Sequence, residues 1–344
     1  MPETLIDVKD LKIHFFTDEG VVRAVDGMDM TVTKGKTLCL VGESGCGKSV
    51  ACRAFLQIIA PPGKIVSGEI LYYKKVSAGQ VDIVDIAKLH PTKKQIRAIR
   101  GKEISMIFQE PMTSLSPMYT VGNQIMENIL LHTRMTKQEA YQLSIDLLAQ
   151  VGIPKPERLV DEYPFRLSGG MRQRAMIAMA LACKPDMLIA DEPTTALDVT
   201  TQANILDLMR NLQAQTNMSL LFITHDLGVV AEVADNVAVM YLGKIIEKSD
   251  VTTIFNAPKH PYTQALLKSI PKMAMQRGKL DPIKGMVPNP FRRPSGCPFH
   301  PRCPQAFAEC KVRVPAVTKL ADNHYVQCLL YEDLSTPTTP EVKQ

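Results

Sequence analysis

Residues 42–49 read G-E-S-G-C-G-K-S, which matches the phosphate-binding pattern G-x-x-x-x-G-K-S. A short apolar run, residues 37–41, precedes the pattern and suits a buried parallel strand. A helix-forming stretch, residues 50–60, follows it and stops at two prolines. The alternative is a glycine-rich turn that contains a lysine by coincidence, but such a turn would not require a strand before it and a helix after it. Strand, loop and helix in this order predict an α/β chain organised around a phosphate site.

The residue types of this loop suit a bound nucleotide and a magnesium ion. Glycines let successive backbone N–H groups point into one concavity, and the start of the helix adds partial positive charge. Lys48 can reach the β- and γ-phosphates, and the Ser49 hydroxyl can ligate Mg²⁺. The residues expected to contact ATP here are Gly42, Ser44, Gly45, Cys46, Gly47, Lys48, Ser49 and Val50.

Three other apolar runs end in polar side chains. Gln109 follows residues 103–108, Asp191 and Glu192 end the run that starts at residue 187, and His225 follows residues 219–224. Ligand sites in open α/β sheets lie at such strand ends, so these side chains are expected beside the phosphate loop. One carboxylate can organise Mg²⁺, and the second can orient or deprotonate a water molecule.

Two further stretches carry candidate ligand-binding residues. Residues 167–171 read L-S-G-G-M, and Ser168 is a good N-cap for a helix that runs to about residue 183. The two glycines at this helix start leave N–H groups open to an anion. Upstream, alternation over residues 5–34 predicts β-structure and places Phe15 or Phe16 on a strand. An aromatic ring there would either stack on adenine or fill the core.

Composition narrows the class of protein. With 344 residues, one large domain and a smaller one are expected. No apolar run approaches the roughly 18 residues that span a bilayer, and no signal peptide is visible, so a cytosolic chain is expected. Residues 271–313 carry four Lys and five Arg against one Asp and one Glu. Such a basic segment suits nucleic acid, anionic lipid or simply solvent.

The C-terminal part is rich in proline and cysteine. Residues 281–315 hold eight prolines, so regular helix or strand is not expected there. Cys297, Cys303, Cys310 and Cys328 follow with the spacing C-x5-C-x6-C-x17-C. Zinc sites favour tighter pairs, whereas four thiolates also suit an iron–sulfur cluster. The spacing therefore indicates metal binding and leaves the metal open.

Six motifs stand in one order over residues 5–250, and the set resembles the nucleotide-binding subunit of an ATP-binding-cassette transporter. The resemblance implies a P-loop NTPase cassette. Its parts are a RecA-like core with a mixed sheet, an antiparallel β subdomain and a helical signature subdomain near residues 110–185. A small irregular cysteine-rich extension follows. The implied boundaries are 1–255 for the nucleotide-binding domain, 256–334 for the extension and 335–344 for a flexible tail.

The same resemblance implies a role for each motif. Phe15 would contact adenine, Glu192 would be the general base, His225 would sense the γ-phosphate, and Gln109 would contact Mg²⁺ and the attacking water. Ser49 and Asp191 would complete the Mg²⁺ site. The signature, Ser168, Gly169, Gly170 and Met171, would close over ATP held by a second subunit, so that two ATP molecules lie in a head-to-tail dimer. Asp198 would cross that interface. The family usually has Gln where this chain has Met171.

Residues 260–262 read H-P-Y. Together with the cysteines they resemble the C-terminal extension of the ATPases of oligopeptide, dipeptide and nickel importers. The chain as a whole most resembles the ATP-binding subunits of the dipeptide permeases of enteric bacteria. The implied cofactors are ATP, Mg²⁺ and a [4Fe-4S] cluster, with zinc as the alternative. The implied partners are a second, non-identical ATPase subunit, two transmembrane permease subunits and an extracytoplasmic peptide-binding protein. The chain itself would lie at the cytoplasmic face of a bacterial inner membrane.

The resemblance also implies a docking surface. Permease helices would dock near residues 109–120. The basic residues that would face permease or lipid are Arg292, Arg293, Arg302, Lys311 and Arg313.

Other functions remain open to this sequence. Nickel or longer oligopeptides would use the same kind of ATPase. A DNA-associated ATPase with this cassette would grip nucleic acid through the basic segment. Such relatives carry coiled-coil or zinc insertions, and none is visible between Ser49 and Asp191, so no nucleic-acid partner is expected. A non-hydrolysing regulatory subunit is disfavoured because Lys48, Asp191 and Glu192 are all present.

Overall fold

The computed structural model of the chain describes residues 3–77, 80–109, 114–195, 197–269 and 283–332. The strands of these residues form a four-stranded and an eight-stranded sheet. In chain order they are β1 Thr4–Thr17, β2 Gly20–Thr33, β3 Thr37–Val41, β4 Gly63–Ser77, β5 Gln80–Asp85, β6 Ile104–Ile107, β7 Met187–Asp191, β8 Ser219–Thr224, β9 Asn236–Tyr241, β10 Lys244–Asp250, β11 Thr318–Ala321 and β12 His324–Val326.

The helices cover the sheets and build a separate helical layer in the middle of the chain. They are α1 Lys48–Ala54, α2 Lys94–Ile99, α3 Val121–His132, α4 Lys137–Gln150, α5 Pro156–Leu159, α6 Gly169–Leu181, α7 Val199–Thr216, α8 Leu227–Val233, α9 Val251–Asn256 and α10 Pro261–Lys268. Short 3-10 helices cover Ile86–Lys88, Pro164–Arg166, Ala308–Lys311 and Leu329–Tyr331.

The eight-stranded sheet is mixed and has the order β11-β12-β10-β9-β3-β8-β7-β6. The five strands from β9 to β6 are parallel, and β10, β12 and β11 continue the sheet antiparallel. Every residue of β3, β7 and β8 is buried, because α1 and the four-stranded sheet cover one face of the parallel part and helices cover the other. The carboxyl ends of β3, β6, β7 and β8 share one edge of the sheet, which positions the site described below.

The four-stranded sheet is antiparallel and has the order β2-β1-β4-β5. Its buried side chains pack together with those of α1 and one face of the large sheet in a single apolar cluster, which includes Ile13, Met28, Leu40 and Phe55. A second cluster fills the other face of the large sheet and the helical layer, and includes Ile125, Leu148 and Ile177. The α/β cassette architecture expected from the sequence is therefore confirmed.

Most elements lie where the sequence predicts them, with shifted ends. The β-structure predicted for residues 5–34 is β1 and β2. The helix predicted for 50–60 is wrong in length, since α1 ends at Ala54 and turns follow. The long strand β4 starts at Gly63 and pairs with β1.

The described C-terminal segment, residues 283–332, is joined to the cassette by strands. Its proline-rich part, residues 283–315, contains one 3-10 helix and no other regular element among the described residues. After it, β12 pairs with β10, and Glu247 faces Val326 in that register. Glu247 is buried and accepts hydrogen bonds from the backbone N of His260 at 2.9 Å and from His324 Nε2 at 2.8 Å. The predicted flexible tail, 335–344, lies outside the described residues.

Candidate active site

The phosphate loop connects β3 to α1 and is shaped by glycines that no other residue can replace. Gly42 has φ +155°, and a Cβ atom there would lie 2.2 Å from the carbonyl oxygen of Met240. Gly47 has φ +107°, and its Cβ would lie 2.3 Å from the carbonyl oxygen of Ala24. Both positions combine a positive φ with a close backbone neighbour, so only glycine fits. The neighbouring strands therefore fix the course of the loop.

Lys48 is enclosed by the loop that it follows. Its side chain is buried, and Nζ donates hydrogen bonds to the carbonyl oxygens of Gly42 at 2.7 Å and Glu43 at 3.0 Å. Nζ also lies 3.8 Å from the sulfur of Cys46. The ammonium group is thus held at the centre of the loop, where it can exchange backbone carbonyls for phosphate oxygens.

Ser49 in the first turn of α1 and Asp191 at the carboxyl end of β7 form a hydrogen-bonded pair. The Ser49 hydroxyl donates to Asp191 Oδ1 at 3.0 Å. Asp191 is 1% exposed, and its Oδ2 has no hydrogen-bond partner among the described residues. Burial raises the pKa of Asp191, against the opposing effects of Ser49 and Lys48. A buried carboxylate oxygen without a partner, beside a hydroxyl, fits the oxygen ligands that Mg²⁺ prefers.

Glu192 is the centre of a network that joins three strand ends. Its Oε2 accepts hydrogen bonds from Gln109 Nε2 and Thr195 Oγ1, both at 3.1 Å. Its Oε1 lies 3.2 Å from Nδ1 of His225. Burial opposes the charge of Glu192, but the hydrogen bonds from His225 and Thr195 outweigh burial and lower its pKa. Glu192 is therefore ionised at neutral pH, as a proton acceptor must be.

The backbone of Glu192 is held in an uncommon conformation. Its φ is +48°, in the left-handed region, and its N–H donates to the carbonyl oxygen of Ile223 at 2.9 Å. Such a conformation costs about 1–3 kcal/mol for a residue other than glycine. The neighbouring strand β8 thus holds the turn that aims this carboxylate at Gln109 and His225.

A cavity of about 340 Å³ opens at this edge of the sheet. The loop residues from Ser44 to Val50 line it, together with Gln109 and Glu192, so most of the predicted ATP contacts share one space. The cavity is also lined by residues that the sequence analysis did not place at the nucleotide site. These residues are Val22, Arg23, Ala24, Leu242, Pro290 and Arg293.

Arg293 comes from the C-terminal segment, far from the loop in sequence. Its Nη1 donates to Asp26 Oδ2 at 3.0 Å, and its Nη2 donates to the carbonyl oxygen of Arg23. The Nε atom is buried and has no partner among the described residues. Nothing in the sequence places this residue at the nucleotide cavity, because its contacts with β2 depend on the folding of the C-terminal segment.

Phe15 does not line the cavity. It packs against the apolar cluster of the small sheet, and a Cβ on Gly63 would come within 2.7 Å of its ring. Phe16 is exposed, with its ring 6.4 Å from that of His14. The strand that faces the cavity is instead β2, through Val22, so the predicted stacking of Phe15 on adenine has no support in this conformation.

The signature residues lie apart from the cavity and face outward. Ser168 caps α6, and its hydroxyl accepts a hydrogen bond from the backbone N of Met171 at 3.4 Å. A Cβ on Gly169 would meet nothing within 4 Å. Asp198 caps α7 and is exposed. These residues are absent from the lining of the cavity, so within one chain they do not meet the phosphate loop.

The four C-terminal cysteines are neighbours. Cys297 N–H donates to the carbonyl oxygen of Cys310 at 2.9 Å. Burial raises the pKa of Cys328 to about 12, and the thiols of Cys297, Cys303 and Cys310 contribute to that rise. In the part of the chain that the structure describes, however, no three His, Cys, Asp or Glu side chains are arranged to hold a metal ion. The predicted iron–sulfur or zinc centre therefore finds no support here and stays a prediction.

Three of the five basic residues predicted to face permease or lipid are engaged within the chain. Arg293 pairs with Asp26, Arg302 pairs with Glu43, and Arg313 pairs with Glu332 at 2.8 Å. The Arg302 side chain is 3% exposed. The prediction is wrong for these three, because the basic segment folds back on carboxylates of the chain itself.

Comparison with known proteins identifies the family. Residues 25–195 match the ABC transporter family, and residues 246–310 match the C-terminal region of oligopeptide/dipeptide transporters. The chain is 48% identical over 331 residues to the oligopeptide transport ATP-binding protein AppD of Bacillus subtilis (strain 168), covering 96% of this chain and 98% of that protein. This chain belongs to the ATP-binding proteins of ABC transporters, oligopeptide/dipeptide type. It is also 46% identical over 335 residues to the dipeptide transport ATP-binding protein DppD of Escherichia coli (strain K12), covering 97% of this chain and 99% of that protein.

Solved structures show the same cassette. The dimeric structure of MJ0796, a bacterial ABC transporter cassette, superposes with a TM-score of 0.60 at 25% identity, over 72% of this chain and 99% of that one. CbiO1 from Clostridium perfringens, part of the ABC transporter complex CbiONQ, superposes with a TM-score of 0.60 at 26% identity, over 74% and 92% of the two chains. As a member of this family the protein is an ATPase, and its phosphate loop, Ser49 and Asp191 suit ATP with Mg²⁺.

Proposed function

We propose that this protein is the ATP-hydrolysing subunit of an importer of short peptides, with dipeptides as the preferred cargo. The observation that carries the proposal is the match to peptide-transport ATP-binding proteins along almost the whole chain, including the region 246–310. Short peptides are the proposed cargo because those relatives are named as oligopeptide and dipeptide transport proteins. In this proposal the chain contacts the nucleotide, and the cargo is selected elsewhere in the complex.

In the proposed hydrolysis, polar side chains of the phosphate loop and of the three strand ends act on the phosphate end of ATP. Lys48 binds the β- and γ-phosphates through its ammonium group, and Ser49 and Asp191 hold Mg²⁺, which neutralises charge on the phosphates when bound. Glu192 accepts the proton of the attacking water. Gln109 orients that water, and His225 holds Glu192 at 3.2 Å and contacts the γ-phosphate.

The outward-facing signature supports a proposal of two cooperating subunits. Ser168, Gly169 and Gly170 offer a hydroxyl and open N–H groups on the surface, away from the cavity of their own chain. We propose that they bind the γ-phosphate of ATP held by a second ATPase subunit, with Asp198 at the interface. The MJ0796 cassette, whose structure is dimeric, is consistent with this arrangement.

The proposed partners in the membrane are two permease subunits, fed by an extracytoplasmic peptide-binding protein, which would place this chain at the cytoplasmic face of the inner membrane. Among the described residues, no helix is long and apolar enough to cross a bilayer. The predicted docking region, residues 109–120, lies partly outside the described residues. Within it, Met118 and Tyr119 are 76% and 60% exposed and suit an apolar partner surface.

The test is ATP hydrolysis by the complex purified from membranes with its own partners. A dipeptide with its binding protein should raise the hydrolysis rate, and a pentapeptide should raise it less. Stimulation by Ni²⁺ instead of peptide would favour the nickel alternative, and stimulation by duplex DNA would favour the DNA-associated one. No peptide effect on hydrolysis or transport in such a complex would overturn the proposal.

A further inference from the structure

The phosphate loop is held from outside the cassette core by two side chains from the C-terminal third of the chain. The Arg302 guanidinium donates to both carboxylate oxygens of Glu43, at 2.6 and 2.9 Å. The Tyr262 hydroxyl accepts a hydrogen bond from the backbone N of Glu43 at 2.9 Å. Glu43 also presents its carbonyl oxygen to Lys48 Nζ. One residue therefore links the C-terminal segment to the phosphate-binding lysine.

The Arg302–Glu43 pair is enclosed, unlike an ordinary surface ion pair. The Arg302 side chain is 3% exposed and that of Glu43 is 25% exposed. Arg302 Nη1 also lies 3.4 Å from the Tyr241 hydroxyl, and its Nε donates to the carbonyl oxygen of Lys284 at 3.1 Å. A bidentate, shielded pair fixes the relative position of its two partners, and removing one partner leaves a buried charge uncompensated.

An aromatic cluster beneath the pair determines where Arg302 lies. Tyr241 at the end of β9, Tyr262 in α10 and Phe299 in the C-terminal segment are each at most 1% exposed. Their ring centroids lie 4.7 to 5.4 Å apart. The backbone N of Arg302 donates to the carbonyl oxygen of Phe299 at 3.0 Å, inside the turn that connects Cys297 to Cys303. The position of the guanidinium thus depends on the fold of the cysteine-bearing turn.

We propose that Arg302 is a positioning residue for nucleotide binding: through Glu43 it holds the phosphate loop in its phosphate-accepting shape. The C-terminal segment then sets the affinity of the cassette for nucleotide. The inference rests on the proposed ATPase function and extends it to regulation of the same site. Coupling between two sites is reciprocal, so bound nucleotide must stabilise the cysteine-bearing turn as much as the turn stabilises bound nucleotide.

The first measurement is the affinity for MgADP, by calorimetry on the full chain in its complex. Arg302→Met should weaken MgADP binding on the order of tenfold, within the usual range of coupling between sites. The matched control is Arg313→Met, which breaks the Arg313–Glu332 pair in the same segment without touching the loop. The control should bind MgADP within about twofold of wild type. Equal affinities of Arg302→Met and wild type, or equal losses in both variants, would overturn the proposal.

A variant on the loop side guards against misfolding of the segment. Glu43→Gln changes no residue of the C-terminal segment and should weaken MgADP binding in the same direction as Arg302→Met. The double variant should bind no more weakly than the worse single variant, because both remove one interaction. Additive losses would show that the two residues act independently and would contradict the proposal.

The second measurement is hydrogen–deuterium exchange of residues 297–312, with and without saturating MgADP. In wild type and in Arg313→Met, nucleotide should slow exchange in this turn. In Arg302→Met, the nucleotide effect should disappear although the site is filled. Retention of the effect in Arg302→Met would refute the link through Arg302. Absence of MgADP binding to the wild-type complex would instead overturn the proposed function, and the two failures are distinguishable.

Discussion

Asp191 shows how a residue of the nucleotide site opposes the stability of the empty protein. Its carboxylate is buried, one oxygen is bound to the Ser49 hydroxyl at 3.0 Å, and the other has no partner among the described residues. Burial raises its pKa because the charged form has lost water without gaining a full set of donors. A magnesium ion would supply the missing positive charge. The unpaired carboxylate therefore destabilises the empty protein and would be compensated when Mg²⁺ binds.

This arrangement predicts that Asp191→Asn stabilises the empty protein and removes the effect of MgADP. The neutral amide relieves an unpaired buried charge, which should add about 1 kcal/mol to the free energy of unfolding. Since the pKa is raised, the stability that protonation confers is present at low pH and lost as pH rises through the raised value. The variant should flatten that part of the pH dependence.

Thermal unfolding with and without MgADP, over a range of pH, measures both effects. Asp207→Asn is the control, because Asp207 is exposed on α7 and does not line the nucleotide cavity. A lower melting temperature for empty Asp191→Asn would contradict the cost of the unpaired charge. Full stabilisation of that variant by MgADP would show that this carboxylate does not hold the metal.

At the scale of single elements, the start of α6 combines a structural and a proposed functional role in Ser168. The hydroxyl caps the helix through the backbone N of Met171, and the helix start lies open at the surface. The start of α4 is capped in a comparable way, by a capping box between Thr136 and Glu139. The two hydroxyls therefore make the same local bond, and only one belongs to the signature.

Because the two caps are alike, removing either hydroxyl should lower the stability of the protein equally, whereas only the loss of Ser168 should lower ATP hydrolysis. Ser168→Ala and Thr136→Ala should each cost about 1 kcal/mol in the free energy of unfolding, from the lost cap. In the assembled complex, only Ser168→Ala should also lower ATP turnover, by roughly tenfold or more, as expected for a lost hydrogen bond to a charged phosphate. Chemical unfolding and steady-state hydrolysis measure the two quantities. Equal turnover in the two variants would contradict a role of the signature in binding ATP.

The elements that could be predicted from the sequence are those with strong local patterns. The continuous apolar runs of β3, β7 and β8 mark strands buried on both faces, and the polar residues after them mark the edge of the sheet where Glu192 and His225 meet. The phosphate loop carries its own glycine pattern. For these elements the local signal and the tertiary structure agree, so their positions follow from the sequence.

The contacts of the C-terminal segment could not be predicted in the same way. Arg302 and Glu43 are separated by 259 positions, and no local pattern records their pairing. The short strands β11 and β12 owe their existence to pairing with β10 and with each other, not to propensity. From sequence alone, a long basic stretch indicates a solvated or docking surface, because its carboxylate partners are not known. For this reason the prediction that Arg293, Arg302 and Arg313 face permease or lipid is wrong.

At the scale of the whole molecule, the segment that carries the cysteines packs against the cassette and its nucleotide site. It adds two strands to the large sheet, lines the nucleotide cavity with Pro290 and Arg293, and braces the phosphate loop with Arg302. The MJ0796 cassette covers 72% of this chain, and here the same architecture is completed by residues from the C-terminal third. The metal predicted for the cysteines stays a prediction, which iron, sulfide and zinc analysis of anaerobically purified protein would decide.

Glu192 is the proposed proton acceptor in ATP hydrolysis by this chain, and one variant tests that role most directly. Glu192→Gln keeps the shape of the side chain and removes its basicity. In the complex with its partner subunits, the variant should bind MgATP as wild type does and lose roughly 10²–10⁴-fold in turnover. Lys48→Ala, measured beside it, should weaken nucleotide binding itself. Turnover by the Glu192→Gln complex close to that of wild type would contradict the account.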